Sequence, residues 1–386
     1  MLDPGGQVCH NSYPSPGRSA TLSHSGATMP DIIRPDFSRF GKLLLLRTDR
    51  IGDLLVSTPC IRALRQALPD TRLELVASAL NAPAVAGNPH LDAVHVFHPR
   101  RPWTWPALAR RLRNAAFDAT LVLNSNSRSA CALARLVGSP QRIGFSGLPT
   151  NKGRVLTAYA RVYTWIAEGG SAENIILNML ERMERLGIAA PSPHLDFTVP
   201  SITAETVRAR FPLRPDRLRL AVFVGNIKKV QNRWPVEKFR ELVLRLLSTE
   251  TDLEIVILAG PPDRPLLSAF TDIDHPRLTR FVGETLQESG ALLSTCSGLV
   301  AGSSGPTHVA AALDVPILAV VTRHNATVWR TLGPRDRAVT PNDDARDMRG
   351  IPVEPVEAMI RAFLTEERER LGLSSHAGHV ADNNNS

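Results

Sequence analysis

Leu43-Leu44-Leu45-Leu46-Arg47-Thr48-Asp49-Arg50-Ile51-Gly52-Asp53-Leu54-Leu55 is the stretch on which the fold turns. Four consecutive leucines lack the apolar/polar alternation of a half-buried strand and read as a strand covered on both faces. A short polar segment with a glycine follows, after which Leu54, Ile61, Leu64 and Leu68 recur at helical spacing. The unit is strand, loop, helix. Arg47, Thr48, Asp49, Arg50 and Asp53 gather at the carboxyl end of the strand, where open α/β sheets bind their ligands.

The same unit repeats along the chain. Strands are expected at 42–47, 72–78, 93–97, 119–124 and 139–146, and helices at 53–68, 104–115, 129–137 and 172–186, the last closed by Gly187 as its C-terminal glycine. Pro191, Pro193, Pro200, Pro212 and Pro215 mark a linker region. A second set follows, with strands at 218–224, 253–259, 278–282, 298–301 and 316–321, the last completing its sheet, and helices at 235–248, 285–294, 307–313 and 353–371. Repeated βα units imply a parallel sheet in each half. The expected organisation is a disordered extension over 1–40, an N-terminal Rossmann-like domain over 41–205, and a C-terminal one over 206–352. A final helix over 353–372 and a disordered tail over 373–386 complete it. The two Rossmann-like domains are expected to face a cleft.

Bulk properties narrow the function classes. The 386 residues carry a net charge of +8, and 43% are hydrophobic, which suffices for two cores. A pI near 9.8 points to an anionic partner, or only to a basic, soluble surface. Cys9, Cys60, Cys131 and Cys296 are scattered without CxxC or zinc spacing, which fits a reducing compartment and no structural metal. No apolar run is long enough to span a bilayer, and no apolar segment after Met1 suggests a secretory signal.

Four segments carry candidate chemistry. At Arg47–Asp53, a carboxylate at a strand end suits a general base, although an acid in a helix's first turn also serves as a cap or dipole partner. In Gly302-Ser303-Ser304-Gly305-Pro306-Thr307-His308, small residues before a helix let backbone N–H groups approach a phosphate; a plain βα turn is the simpler alternative. This segment is neither GxGxxG nor a Walker motif. Gly225-Asn226-Ile227-Lys228-Lys229-Val230-Gln231-Asn232-Arg233-Trp234-Pro235 places three cations in a strand-to-helix loop. They suit a pyrophosphate leaving group, or form only a solvated loop. Arg100-Arg101-Pro102-Trp103-Thr104-Trp105-Pro106, with Arg110, Arg111 and Arg113, has no acid between Asp92 and Asp118. It suits a membrane interface, an anionic acceptor or simply the charged face of an amphipathic helix. No nucleic-acid-binding module accompanies it. Asp272-Ile273-Asp274 resembles a metal-holding DxD but sits in a polar stretch that reads as a surface turn, and no histidine pair has HExxH spacing.

Taken together, these motifs resemble glycosyltransferase family 9, the ADP-heptose:lipopolysaccharide heptosyltransferases. The resemblance rests on Lys42 to Arg47 with Ile51-Gly52-Asp53-Leu54-Leu55, Thr58-Pro59, Leu64-Arg65 and Pro69; on Arg233-Trp234-Pro235 and Phe239; on Ile255 to Pro261; and on Gly305-Pro306-Thr307-His308 through Leu313 and Pro316. It implies a GT-B fold and an inverting, metal-independent transfer of heptose from ADP-heptose to a lipopolysaccharide core or related glycan, without a cofactor.

The resemblance further implies that Asp53 is the base, and that Arg47, Arg50, Gly52, Asn126 and Arg128 meet an anionic, lipid-linked glycan acceptor. It implies donor contacts at Asn226, Lys228, Lys229, Arg233, Gly260, Gly283, Glu284, Ser303, Ser304, Gly305, Pro306, Thr307 and His308. The final helix is expected to cross back toward the first domain. The expected location is cytoplasmic, with peripheral contact to the inner membrane surface through the Arg100–Arg113 segment, and nucleic acid is not an expected partner. Two departures from the family pattern stand out. Ser303 occupies a position where the family commonly has an acid, and Asn232 one where it usually has lysine. Another nucleotide-sugar donor, or a non-catalytic nucleotide- or nucleic-acid-binding role, is the corresponding alternative.

Overall fold

The computed structural model describes residues 34–145, 157–167, 170–225, 233–341 and 347–373. The chain divides into two compact units, one ending at Thr198 and the other beginning at Val199. The sequence expectation set that boundary at 205/206.

The first unit is a parallel sheet. Its strands are β1 (Lys42–Arg47), β2 (Arg72–Ser78), β3 (Ala93–Phe97), β4 (Ala119–Val122), β5 (Gln141–Phe145) and β6 (Trp165–Ala167), in the order β3-β2-β1-β4-β5-β6. Leu43 to Leu46 are fully buried, as a two-sided central strand requires. Leu44 and Leu46 pack with Phe97, Leu112, Val122 and Leu133, joining the sheet to α3 (Trp105–Asn114) and α4 (Arg128–Val137).

The helix expected over 53–68 is two helices, α1 (Ile51–Leu55) and α2 (Thr58–Ala67). Pro59 lacks the N–H needed to continue α1, so it sits at the start of α2, where that loss is harmless. The unit also contains α5 (Thr157–Ala160) and α6 (Ile175–Arg185). Gly187, at φ +80°, closes α6 as expected: Ile188 N–H donates to the Met183 carbonyl, the long-range bond of a Schellman turn. Residues 34–40, assigned from sequence to a disordered extension, are ordered. Phe37 is buried in a 3₁₀ turn, and Thr71 donates its hydroxyl to the Phe40 carbonyl.

The second unit begins with α7 (Ser201–Arg210), a helix inside the segment read as linker. Its prolines lie outside the helix, and only Val207 is buried, so it leaves little periodic signal. The sheet is β7 (Leu218–Phe223), β8 (Leu253–Ala259), β9 (Leu278–Val282), β10 (Gly298–Ala301), β11 (Ile317–Val320) and β12 (Arg337–Val339), ordered β12-β11-β10-β7-β8-β9. β11 therefore does not complete the sheet; the three-residue β12 does, being too short to show alternation. The remaining helices are α8 (Val236–Thr249), α9 (Leu286–Leu293), α10 (Gly305–Ala312), α11 (Arg323–Val328) and α12 (Val353–Leu371). α12, expected to cross back, buries Val356, Met359, Ile360, Phe363 and Leu364 in the core of this second unit. The Asp272 of the DxD-like triplet is a surface partner: Arg240 holds it through two 2.7 Å hydrogen bonds.

Trp234 anchors the start of α8. It is fully buried, lies edge-on to Phe239 at 4.9 Å, and donates its indole N–H to the Ile351 carbonyl at 2.9 Å. Trp234→Ala leaves a cavity and removes one of the two donors to the Ile351 carbonyl, Lys238 Nζ at 2.7 Å being the other, and should lower stability by about 3–5 kcal/mol in denaturant unfolding of the full chain.

Candidate functional site

Both sheets have the same strand order relative to their first strand, and in each the order reverses beside that strand. The reversal falls between β1 and β4 in one unit, and between β7 and β10 in the other. Such switch points open a crevice at the carboxyl ends of the strands. The residues singled out from sequence cluster at strand ends: Arg47 to Asp53 at the end of β1, Asn126 and Arg128 after β4, Gly225 after β7, Gly260 after β8, Gly283 and Glu284 after β9, and Ser303 to His308 after β10.

The end of β1 is organised by Arg47, which is only 3% exposed. Its Nη1 donates to the Leu123 carbonyl at 2.7 Å, and its Nη2 to Asp53 Oδ1 at 3.4 Å. Its Nε faces Asp49 Oδ1 at 3.0 Å, an ion pair in which neither atom gains an aligned hydrogen bond. One buried cation therefore serves two carboxylates. Arg47, expected among acceptor-binding residues, directs its donors inward and shapes the loop. Arg50 is exposed, and Gly52 and Asp53 are half-buried on α1.

Asp49 is 31% exposed as a side chain, but its Oδ1 is covered. Desolvation pushes its carboxyl up to about 6; the Asp53 charge adds to the rise and Arg47 opposes it.

Two asparagines hold this loop, and neither was singled out from sequence. Asn81, fully buried after β2, donates its amide to the Arg47 carbonyl at 3.1 Å, while its Oδ1 accepts from Ser78 N–H and Oγ–H at 2.7 and 2.9 Å. Asn124 donates to Thr48 Oγ1 at 3.3 Å. Their partners lie 34 and 76 residues away, so no local pattern reveals them. Beyond β4, Ser127 caps α4 and Arg128, exposed at its first position, donates from Nε to the Tyr159 hydroxyl at 2.9 Å. Asn126 is half-buried beside it.

In the second unit, Asn226, Lys228, Lys229 and Asn232 lie outside the described residues. Gly225 is packed so closely by the Phe223 ring and the Asp263 carboxylate that no side chain fits there. Arg233 is half-buried, and its Nε and Nη1 are buried without a hydrogen-bond partner among the described residues. At the β10 end, Ser304 and Thr307 hydroxyls are 2.9 Å apart, and Thr307 donates to the Gly302 carbonyl at 2.8 Å. This fixes the turn that presents the first N–H groups of α10. His308 is buried, edge-on to Trp329 at 6.3 Å. Ser303 is half-exposed. Glu284 pairs with Arg264 at the surface, and its N–H donates to Glu288 at 2.9 Å beside the capping box of α9. Gly260 precedes a 3₁₀ turn, and Gly283 has no room for a side chain against Ser289.

Two parallel-sheet Rossmann-type units, one with a carboxylate–arginine cluster at its switch point and the other with a hydroxyl-lined helix start, have the architecture of the GT-B fold. The sequence profile described as Glycosyltransferase family 9 (heptosyltransferase) matches residues 105–350, and the chain belongs to that family. It is a glycosyltransferase; the Arg47–Asp53 loop lies outside the matched residues. Among similar proteins is lipopolysaccharide heptosyltransferase 3 of Escherichia coli, 22% identical over 293 residues, 72% of this chain and 83% of the relative. Another is lipopolysaccharide heptosyltransferase 2 of Salmonella typhimurium, 24% identical over 300 residues, 72% of this chain and 82% of the relative. Among solved structures, a glycosyl transferase family 9 protein from Veillonella parvula superposes with a TM-score of 0.75 at 17% identity, covering 86% of this chain and 99% of its own. The ADP-heptose lps heptosyltransferase II of E. coli gives 0.68 at 18%, covering 85% and 99%.

The raised Asp49 carboxyl fixes a pH dependence. Its folded-state value exceeds the unfolded one, so the native state binds the extra proton and this contribution to stability falls as pH rises from about 4 to about 6. Asp49→Asn should be more stable than the parent above about pH 6, with the difference vanishing toward pH 4. Parallel denaturant titrations across that range measure it.

Proposed function

We propose that this chain transfers a heptose from ADP-heptose to a lipopolysaccharide core or related glycan, with inversion and without a metal. The observation that carries the reading is Asp53, a half-buried carboxylate on the first turn of α1 at the end of the central strand, beside a buried arginine. In the proposed step, Asp53 takes the proton from an acceptor hydroxyl as that oxygen attacks the anomeric carbon and the bond to the diphosphate breaks. Arg233, Lys228 and Lys229, with the N–H groups at the start of α10, stabilise the charge on the departing ADP. Arg233 supports this role because two of its guanidinium nitrogens are buried without a partner among the described residues. Gly225, Gly260 and Gly283 line the strand ends on the donor side. Arg50, Gly52, Asn126 and Arg128 face the acceptor's anionic groups.

A second reading concerns the donor alone. Ser303 and Asn232 remove an acid and a cation common in the family, which favours testing other nucleotide-sugars alongside ADP-heptose.

We also assign the Arg100–Arg113 segment to contact with an anionic membrane surface on the cytoplasmic side. Arg100, Arg101, Trp103 and Arg110 are exposed in and beside α3, and among the described residues no helix is long and apolar enough to cross a membrane. Basic residues near an anionic bilayer are worth about 1 kcal/mol each, and tryptophan suits the interface.

Asp53→Asn should lower transfer by roughly 10²–10⁴-fold while ADP binding, read by titration calorimetry, survives. Turnover at the parent rate would refute Asp53 as base. Treatment with EDTA should leave the rate unchanged, and a strict metal requirement would contradict the mechanism. Replacing Arg100, Arg101 and Arg110 together by glutamate should weaken cosedimentation with phosphatidylglycerol vesicles by about 100-fold or more, from three lost contacts of about 1 kcal/mol each.

A further inference from the structure

We propose that Asp49 is a positioning residue for Asp53: by sharing the Arg47 guanidinium, it keeps Asp53 basic enough to accept a proton. The inference rests on the reading of Asp53 as the base.

A carboxylate that alone faces a buried arginine is a poor base. The cation favours its charged form and lowers its pKa by about 1–3 units. Asp53 does not hold Arg47 alone. Arg47 Nε lies 3.0 Å from Asp49 Oδ1, against 3.4 Å from Nη2 to Asp53 Oδ1, and Nη1 is committed to the Leu123 carbonyl. The closer charge contact belongs to Asp49. Asp49 therefore screens the cation from Asp53, and its own negative charge opposes ionisation of its neighbour.

Among the described residues, these three groups set the balance. The charges that act on Asp49 are those of Arg47 and Asp53. On the α2 side Arg47 acts on the Cys60 thiol, which burial pushes up to about 12 and so keeps neutral. Arg62 on α2 points to Asp196 at 2.5 Å. From α6, Arg182 donates to the Asn178 carbonyl at 2.7 Å. The 3₁₀ turn packed against α1, Ala82–Val85, carries no ionisable side chain. Arg50 is exposed beside the loop.

The two carboxylates share one buried cation, so the acid limb of activity belongs to the pair.

The test follows the Asp53 carboxyl by NMR in protein labelled with ¹³C at aspartate carboxyl carbons, with the signal assigned by its loss in Asp53→Asn. In Asp49→Asn the Asp53 midpoint should fall by about one unit or more, and Asp49→Glu should restore it. With ADP-heptose as donor, kcat of Asp49→Asn near neutral pH should drop roughly three- to tenfold, with KM for the donor unchanged and the acid limb moved down. Asp49→Ser gives the same readings should the asparagine variant fold poorly. An Asp53 midpoint that does not move in Asp49→Asn, with Asp53→Asn inactive, overturns this proposal alone. An active Asp53→Asn overturns the base assignment itself.

Discussion

The structure depends on the two-sided burial of β1 and β7, the first strand of each sheet. A strand covered on both faces has no place for an ionised side chain along its middle, because removing a charge from water costs several kcal/mol unless it is paired. Polar groups are therefore driven to the strand ends. In β1 the only polar residues are Lys42 and Arg47, at the two ends. In β7 the exception is Arg219 near the amino end, buried and held by Glu254 at 2.9 Å and by the Phe211 and Pro212 carbonyls. The chemistry collects at the opposite, carboxyl ends, where the strand order of each sheet reverses.

The two units use that shared architecture for opposite charges. After β1 the loop is rich in ionised side chains, and one buried guanidinium must serve two carboxylates. After β10 the turn is made of glycines and hydroxyls, locked by the Ser304–Thr307 contact, and what it presents is backbone N–H. In the proposed transfer the first arrangement would handle a proton and the second an anion. The sheets do not dictate this difference; it lies in a few residues at the strand ends that flank each switch point.

Much of the fold is legible in the sequence because its signals are local. The leucine run of β1, the glycine after α6 and the regular strand–helix spacing each follow from neighbours a few residues apart. What stays hidden is either short or distant. β6 and β12 have three residues each, too few for alternation, and α7 lies between prolines with one buried residue. The proline of Thr58-Pro59 marks the start of α2, yet the continuous helical spacing from Leu54 to Leu68 masks the break. The site is legible in its residue types and not in its pairings. Asp49 and Asp53 stand together in the sequence, but their common hold on Arg47, and the support of that loop by Asn81 and Asn124, exist only once β2 and β4 flank β1.

Among the described residues, the cysteines Cys60, Cys131 and Cys296 are free thiols buried in the folded units, two in the first and one in the second. Burial pushes Cys60 and Cys296 up to about 12, far from the thiolate form that oxidants and alkylating agents attack. Their protection is a property of each unit's packing. A thiol that becomes reactive reports that its own unit has opened, so the rates at which Cys60 and Cys296 are modified register separately how often each half of the molecule comes apart.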